Sequence, residues 1–236
     1  MQTLKNRLIT IEDLIRNTEK QFNRPRQSVS LLAVSKTWPA SLLRQLAEAG
    51  QQRFGENYLQ EALTKIKQCA DLDLEWHFIG PIQSNKTRDI ALNFDWVHTV
   101  DRLKIAQRLS NQRPDDLAPL NMCIQVNIDD EATKSGIAAN ALLPLATEIA
   151  QLPHLNLRGL MIIPAKTDNV DQQQASFHKA HLLFKQLSTI YPSVDTLSMG
   201  MSGDMTLAIA EGSTMVRVGS ALFGQRATTR HEGNVN

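Results

Sequence analysis

Three stretches carry residue types that could act on one ligand. Lys36 ends the first strand, after Leu31 to Ser35, within the apolar run Val29 to Thr37. A lysine at a strand end can hold an anion or condense with an aldehyde or ketone; the plain alternative is a rim lysine with its ammonium in water. The second stretch is Ser198-Met-Gly-Met-Ser-Gly-Asp204. Its glycines, Gly200 among them, permit a tight turn, Ser198 and Ser202 add hydroxyls, and a short helix begins behind them with unpaired N–H groups facing back. The third is Arg217-Val-Gly-Ser-Ala-Leu-Phe-Gly224, in which Gly219 and Ser220 again supply amides and a hydroxyl. The last two stretches together suit a phosphate, and two ordinary glycine turns are the competing reading. Neither is a Walker motif or a dinucleotide fingerprint.

Other candidates are weaker alone. Asn57 can donate to a ligand oxygen or cap the helix that follows it, and the cap is the stronger local expectation. His77 sits in an apolar strand; a place near the barrel mouth competes with a satisfied core histidine, and the core is preferred. Lys134, in Asp129-Asp-Glu-Ala-Thr-Lys-Ser-Gly136, is a second possible amine within a solvated acidic loop. His178 and His181 share a helix without a third ligand at suitable spacing, so no metal is expected. Glu56 and Glu61 establish no carboxylate pair. Cys69 and Cys123 lack a histidine–acid arrangement, which leaves thiol catalysis unsupported.

The elements that must position these residues alternate regularly. An N-terminal helix carries the stripe Leu4, Leu8, Ile11, Leu14 and Ile15. Eight short apolar strands follow, beginning near residues 29, 53, 76, 95, 121, 157, 196 and 215. Helices or helical turns separate them, and Asp101 is the expected cap of the helix after the fourth strand. This order predicts a (β/α)8 TIM-type barrel with an additional N-terminal helix, a doubly wound sheet being the rival. In such a barrel the strands' C-terminal ends form the active face, and a phosphate site between the last two strands is recurrent.

Composition narrows the class further. The chain has 236 residues, with 25 Lys plus Arg against 24 Asp plus Glu. That balance gives no global field toward nucleic acid or an anionic membrane. No apolar run reaches the roughly 20 residues of a membrane span, and the first residues lack a secretion signal. Two unclustered cysteines suit a reducing cytoplasm. Residues 1–236 read as one domain, with 225–236 as a loose polar tail.

The chain resembles the YggS/PROSC family of pyridoxal phosphate homeostasis proteins, from its first helix through Phe223. The resemblance rests on Leu32-Ala-Val-Ser-Lys-Thr37, Phe54-Gly-Glu-Asn-Tyr58, Trp76-His-Phe-Ile-Gly-Pro-Ile-Gln-Ser-Asn-Lys86, Leu197-Ser-Met-Gly-Met-Ser-Gly-Asp204 and Val216-Arg-Val-Gly-Ser-Ala-Leu-Phe-Gly224. It implies a barrel that binds pyridoxal 5′-phosphate, related in design to the alanine racemase N-terminal domain. It implies Lys36 as the internal aldimine lysine, and Ser198, Gly200, Ser202, Gly219 and Ser220 as the phosphate region. It implies Arg217 toward the pyridine nitrogen and Lys134 as an accessory lysine. Asn57 and His77 fall within its motifs as candidate contacts. An arginine cannot readily give that nitrogen a proton, so the ring would be a weak electron sink.

The implied function is cofactor buffering or delivery, supporting vitamin B6 and amino-acid balance without turnover. Transient recipient enzymes would be its partners. The sequence shows no second β-domain, which implies an incomplete racemase constellation and a monomer. A pyridoxal-phosphate-dependent racemase or lyase, and a cofactor-free barrel enzyme using Lys36 on a phosphorylated carbonyl compound, remain the competing functions.

Overall fold

The structure, a computed structural model, describes residues 3–224; the tail expected at 225–236 lies outside them. Helix α1 (Leu4–Gln21) starts at Thr3, whose side chain accepts from the Asn6 N–H at 3.2 Å. Its buried stripe is Leu8, Ile11, Ile15, Thr18 and Glu19. Leu14, expected in that stripe, is exposed. Glu19 is buried because it accepts from the Gln27 and Val29 N–H groups, which ties α1 to the entry of the first strand.

The strands are β1 (Ser30–Val34), β2 (Arg53–Glu56), β3 (Glu75–Phe78), β4 (Trp96–Val100), β5 (Leu120–Val126), β6 (Leu155–Ile162), β7 (Thr196–Met201) and β8 (Met215–Val218). Between them run α2 (Ala40–Glu48), α3 (Leu59–Gln68), α4 (Thr87–Asn93), α5 (Leu103–Gln112), α6 (Leu142–Ile149), α7 (Val170–Ile190) and α8 (Met205–Ala210). A short α9 (Ser220–Phe223) follows β8. Every neighbouring pair of strands is parallel, and β8 pairs with β1 to close the barrel. That closure excludes the doubly wound sheet.

Strand alternation divides each strand's side chains between two environments. Leu31, Ala33, Phe54, Phe78, Val97, Leu197 and Val216 join the apolar layer shared with the helices. Inside the barrel, Trp96, Cys123 and Met161 form a separate small apolar cluster. Much of the remaining interior is polar: His77, His98, Ser198 and Arg217 are all buried.

Two local expectations fail. Asp101 does not cap α5: Arg102 occupies the cap position, and Asp101 instead accepts from its guanidinium at 3.1 Å. Asn57 does not cap α3, where Tyr58 stands at the cap with no side-chain bond to the helix. Asn57 belongs instead to the strand-end cluster described next.

Candidate cofactor site

A cavity of about 670 Å³ opens at the C-terminal ends of the strands, within the range of small-molecule sites. Lys36, Asn57, Ser202, Arg217, Gly219 and Ser220 all line it. The sequence thus placed six of its site candidates on one wall or another of a single cavity. Trp38 also faces it and stacks on Phe223, with ring centroids 5.6 Å apart.

Lys36 lies beyond the end of β1, in the turn before α2. The ladder continues one bond further, because the Ser35 N–H donates to the Gly55 carbonyl at 3.0 Å. Thr37 then turns the chain with φ of 69°, a left-handed conformation unusual outside glycine. Both neighbours of Lys36 are held by a charged clamp from β2 and α3. The Lys65 ammonium donates to the Ser35 carbonyl at 2.8 Å, to Glu56 at 2.7 Å and to Glu61 at 2.5 Å. The Ser35 hydroxyl donates to Glu56 at 2.6 Å, and the Thr37 N–H donates to Glu61. Burial pushes the Glu56 carboxyl above its ordinary range despite the bonds from Lys65 and Ser35. Glu56 and Glu61 are thus two carboxyl groups bridged by one lysine. The only sequence signal for that lysine was the i, i+4 spacing of Glu61 and Lys65.

On the opposite side, the Ser220 hydroxyl lies 3.5 Å from that of Ser202. Gly200, with φ of 93°, brings β7 so close to α8 that an added Cβ would meet the Ala208 Cβ at 2.6 Å. Gly200 and Ser198 are not among the residues lining the cavity. Ser198 is fully buried because its strand position points into the barrel, where its hydroxyl meets Arg217 and His98. Asn57 is held close to the next strand's exit: a Cβ on Gly80 would sit 2.2 Å from the Asn57 carbonyl oxygen. The Asn57 Oδ1 is buried and has no hydrogen-bond partner.

Arg217 forms the floor. Its guanidinium donates to the Ser198 carbonyl at 2.7 Å, the Ser198 hydroxyl at 2.9 Å and the Ile162 carbonyl at 2.9 Å. No carboxylate among the described residues forms an ion pair with it. Burial lowers its pKa to about 10, so it stays a cation at neutral pH.

His77 is not at the mouth. It is fully buried, with Nδ1 2.8 Å from His98 Nε2 and Nε2 2.8 Å from Glu75. Its strand parity points it inward beside Trp96, on which it stacks at 5.3 Å. His98 Nδ1 lies 3.0 Å from the Ser198 hydroxyl. Sequence reasoning missed His98; its signal was a second histidine of inward parity, two residues after Trp96. Lys134 pairs with Glu131 at 3.1 Å and donates to the Pro164 carbonyl at 2.6 Å, in the segment after β6. His178 pairs with Glu211. Among the described residues, no cluster of three His, Cys, Asp or Glu could hold a metal.

This arrangement can anchor a carbonyl compound by the Lys36 amine and an anion beside the serine pair, with a donor-only guanidinium below. The alanine racemase N-terminal domain family matches residues 9–227. A pyridoxal phosphate homeostasis protein of Pseudomonas aeruginosa is 54% identical over 226 residues, covering 96% of this chain and 97% of that one. One from Haemophilus influenzae is 53% identical over 227 residues, covering 94% and 96%. PipY of Synechococcus elongatus, solved with PLP bound, superposes with a TM-score of 0.81 at 36% identity, covering 94% of this chain and 100% of that one. With such identity along nearly its whole length, the chain belongs to the YggS/PROSC family of pyridoxal phosphate homeostasis proteins, built on the barrel of the alanine racemase N-terminal domain.

Proposed function

We propose that the protein binds pyridoxal 5′-phosphate in the strand-end cavity and buffers or delivers it without sustained turnover. The observation that carries this reading is the single cavity shared by Lys36, Arg217 and the Ser202–Ser220 hydroxyl pair. The residues fit the cofactor's three ends. The paired hydroxyls, with Gly219 and the first N–H groups of α8 and α9, suit a phosphate. A Cβ on Gly219 would approach the Val34 carbonyl oxygen to 3.3 Å, so the glycine lets the exit of β8 lie close against the end of β1. The orphaned Asn57 Oδ1 offers a buried acceptor on the remaining wall.

When bound, pyridoxal phosphate supplies an electrophilic aldehyde and an electron-withdrawing ring. Lys36 would hold the aldehyde end, its neighbours fixed by the Lys65 clamp. Arg217 would face the ring nitrogen. A guanidinium there donates a hydrogen bond and keeps its own proton, so the nitrogen remains an acceptor. That favours storage over carbanion chemistry. Lys134 shares the strand-end face, 3.5 Å from the carbonyl of the cavity residue Ile163, and would be the accessory amine during entry or release.

We infer a monomer: the closed barrel leaves no strand edge for pairing. No helix among the described residues is long and apolar enough to cross a membrane. The free, buried thiols of Cys69 and Cys123 support a place in the reducing cytoplasm, where cofactor-dependent enzymes would be the recipients. Borohydride reduction after loading, followed by peptide mass spectrometry, tests the site. Label should appear on Lys36 and vanish in Lys36→Ala. Label mainly on another lysine, with Lys36 unmodified, overturns the assignment.

A further inference from the structure

A continuous hydrogen-bonded chain crosses the barrel interior from one mouth to the other. Glu75, the first residue of β3, is partly exposed at the N-terminal mouth, with 36% of its side chain accessible. Its carboxylate contacts His77 Nε2 at 2.8 Å; His77 Nδ1 contacts His98 Nε2 at 2.8 Å; His98 Nδ1 contacts the Ser198 hydroxyl at 3.0 Å. Arg217 then donates to that hydroxyl at 2.9 Å from the cavity floor. We propose that Glu75, His77, His98 and Ser198 are positioning residues that impose one hydrogen-bond direction through the barrel and thereby fix Arg217 for the bound cofactor.

The direction follows from donor and acceptor counting. An ionised Glu75 only accepts, so His77 must carry its proton on Nε2. A neutral His77 then presents a bare Nδ1, which requires His98 to donate from Nε2. His98 in turn presents a bare Nδ1, so the Ser198 O–H must point to it. The Ser198 oxygen is thereby left with its lone pairs toward Arg217, and every link is satisfied. Reversing the direction requires a protonated Glu75 and makes the Ser198 oxygen accept from both His98 and Arg217, which leaves its own proton without the His98 acceptor.

The surroundings support the neutral histidines. Burial lowers His77, against the raising influence of Glu75, and Arg53 and Asp95 are the other charged groups around it. Burial lowers His98 well below its ordinary value, and the neighbouring His77 ring and the Arg217 charge add to that. Burial alone would raise Glu75, but His77 and then Arg53 outweigh it and hold the carboxyl below its ordinary value. Arg53 donates to the same Glu75 oxygen at 3.0 Å from outside the chain.

The inference rests on the cavity being the pyridoxal phosphate site, and its test separates the two. Nitrogen-15 histidine spectra of the cofactor-free protein report the tautomers directly. The wild type should show His77 and His98 both protonated on Nε2. Glu75→Leu should scramble His77, whereas Glu75→Gln, which keeps an acceptor, should preserve it. Equilibrium binding and the absorption spectrum of bound pyridoxal phosphate then read the far end. Glu75→Leu should weaken binding about fivefold and shift the spectrum, as loss of one hydrogen-bond link implies. Glu75→Gln and Arg53→Gln should stay within about twofold. Ser198→Ala, a second variant nearer the cavity, should reproduce the cofactor effect with the His77 tautomer unchanged. Histidines protonated on Nδ1 in the wild type overturn the proposal. So does scrambled His77 with cofactor affinity and spectrum intact, or an equal loss in Arg53→Gln. Wild-type protein that takes up no pyridoxal phosphate overturns the cofactor reading instead, while the tautomers still judge the chain.

Discussion

Replacing Lys65 by methionine should cost more stability than its distance from the cavity suggests. The ammonium is buried and makes three hydrogen bonds, to the Ser35 carbonyl, Glu56 and Glu61. Methionine fills much of the same volume, so the main loss is electrostatic. Glu56 is fully buried, and its Oε2 already lacks a partner. Removing Lys65 leaves that carboxylate with the Ser35 hydroxyl as its remaining partner. Breaking a buried pair from one side costs about 3–5 kcal/mol, a large part of the roughly 5–15 kcal/mol that holds a domain together. Urea unfolding should show the midpoint falling by roughly 1–1.7 M, taking a slope near the upper end of about 1–3 kcal/mol/M.

The loss should also depend on pH with a definite sign. Glu56 has a raised folded pKa, so it binds its proton more tightly when folded. Its contribution is fully present below the unfolded pKa and is lost as pH rises through the folded one. Lys65→Met raises the folded value further. The gap from wild type should therefore widen as pH rises above the ordinary carboxylate range. Adding Glu56→Gln to Lys65→Met should recover about 2 kcal/mol by removing the stranded charge. A loss below about 1 kcal/mol, or no recovery in the double variant, would refute the clamp.

At the other wall, Ser202→Ala should weaken pyridoxal phosphate binding by about 1.5–3 kcal/mol, less where water replaces the hydroxyl. Equilibrium binding after cofactor removal checks this, and unchanged affinity in both Ser202→Ala and Ser220→Ala would make the cradle wrong. The loaded protein should exchange amino acids onto the cofactor without multiple turnover, followed as racemisation, decarboxylation, transamination and elimination. Reproducible turnover that disappears in Lys36→Ala would defeat the carrier reading.

Much of the architecture was legible because it is local. Eight apolar runs separated by helical patterns leave little choice of fold, and Lys36, Gly219 and Ser220 could be placed by lying just beyond strand ends. The interior was harder for a definite reason. A strand's side chains alternate, so a boundary error of one residue exchanges inside for outside. Ser198 is the third residue of β7 although its motif reads as part of the turn that follows, and His77 takes the core position its apolar strand favours rather than one at the mouth. Lys65 escaped because its meaning depends on Ser35 and Glu56, which only the closed sheet brings to α3. The buried chain through His98 likewise joins four strands whose register within the barrel no local pattern encodes.

The pairing of β8 with β1 has a consequence for when the site comes into being. Lys36 follows β1, while Gly219 and Ser220 follow β8, so the proposed ligand ends meet across the barrel's last seam. Helix α1 spans that seam from outside, packing on α2, α8 and α9. Closing it joins the most distant strands in the sequence and carries the largest loop entropy of any strand pairing here. A nascent chain with seven strands formed has Lys36 and Ser202 but lacks Gly219 and Ser220, the other half of the proposed phosphate cradle. Cofactor that binds only the closed barrel favours closure by mass action, about 2.7 kcal/mol at a hundredfold excess over Kd. Occupancy of the site is therefore also a report that synthesis has delivered β8 and the barrel has shut.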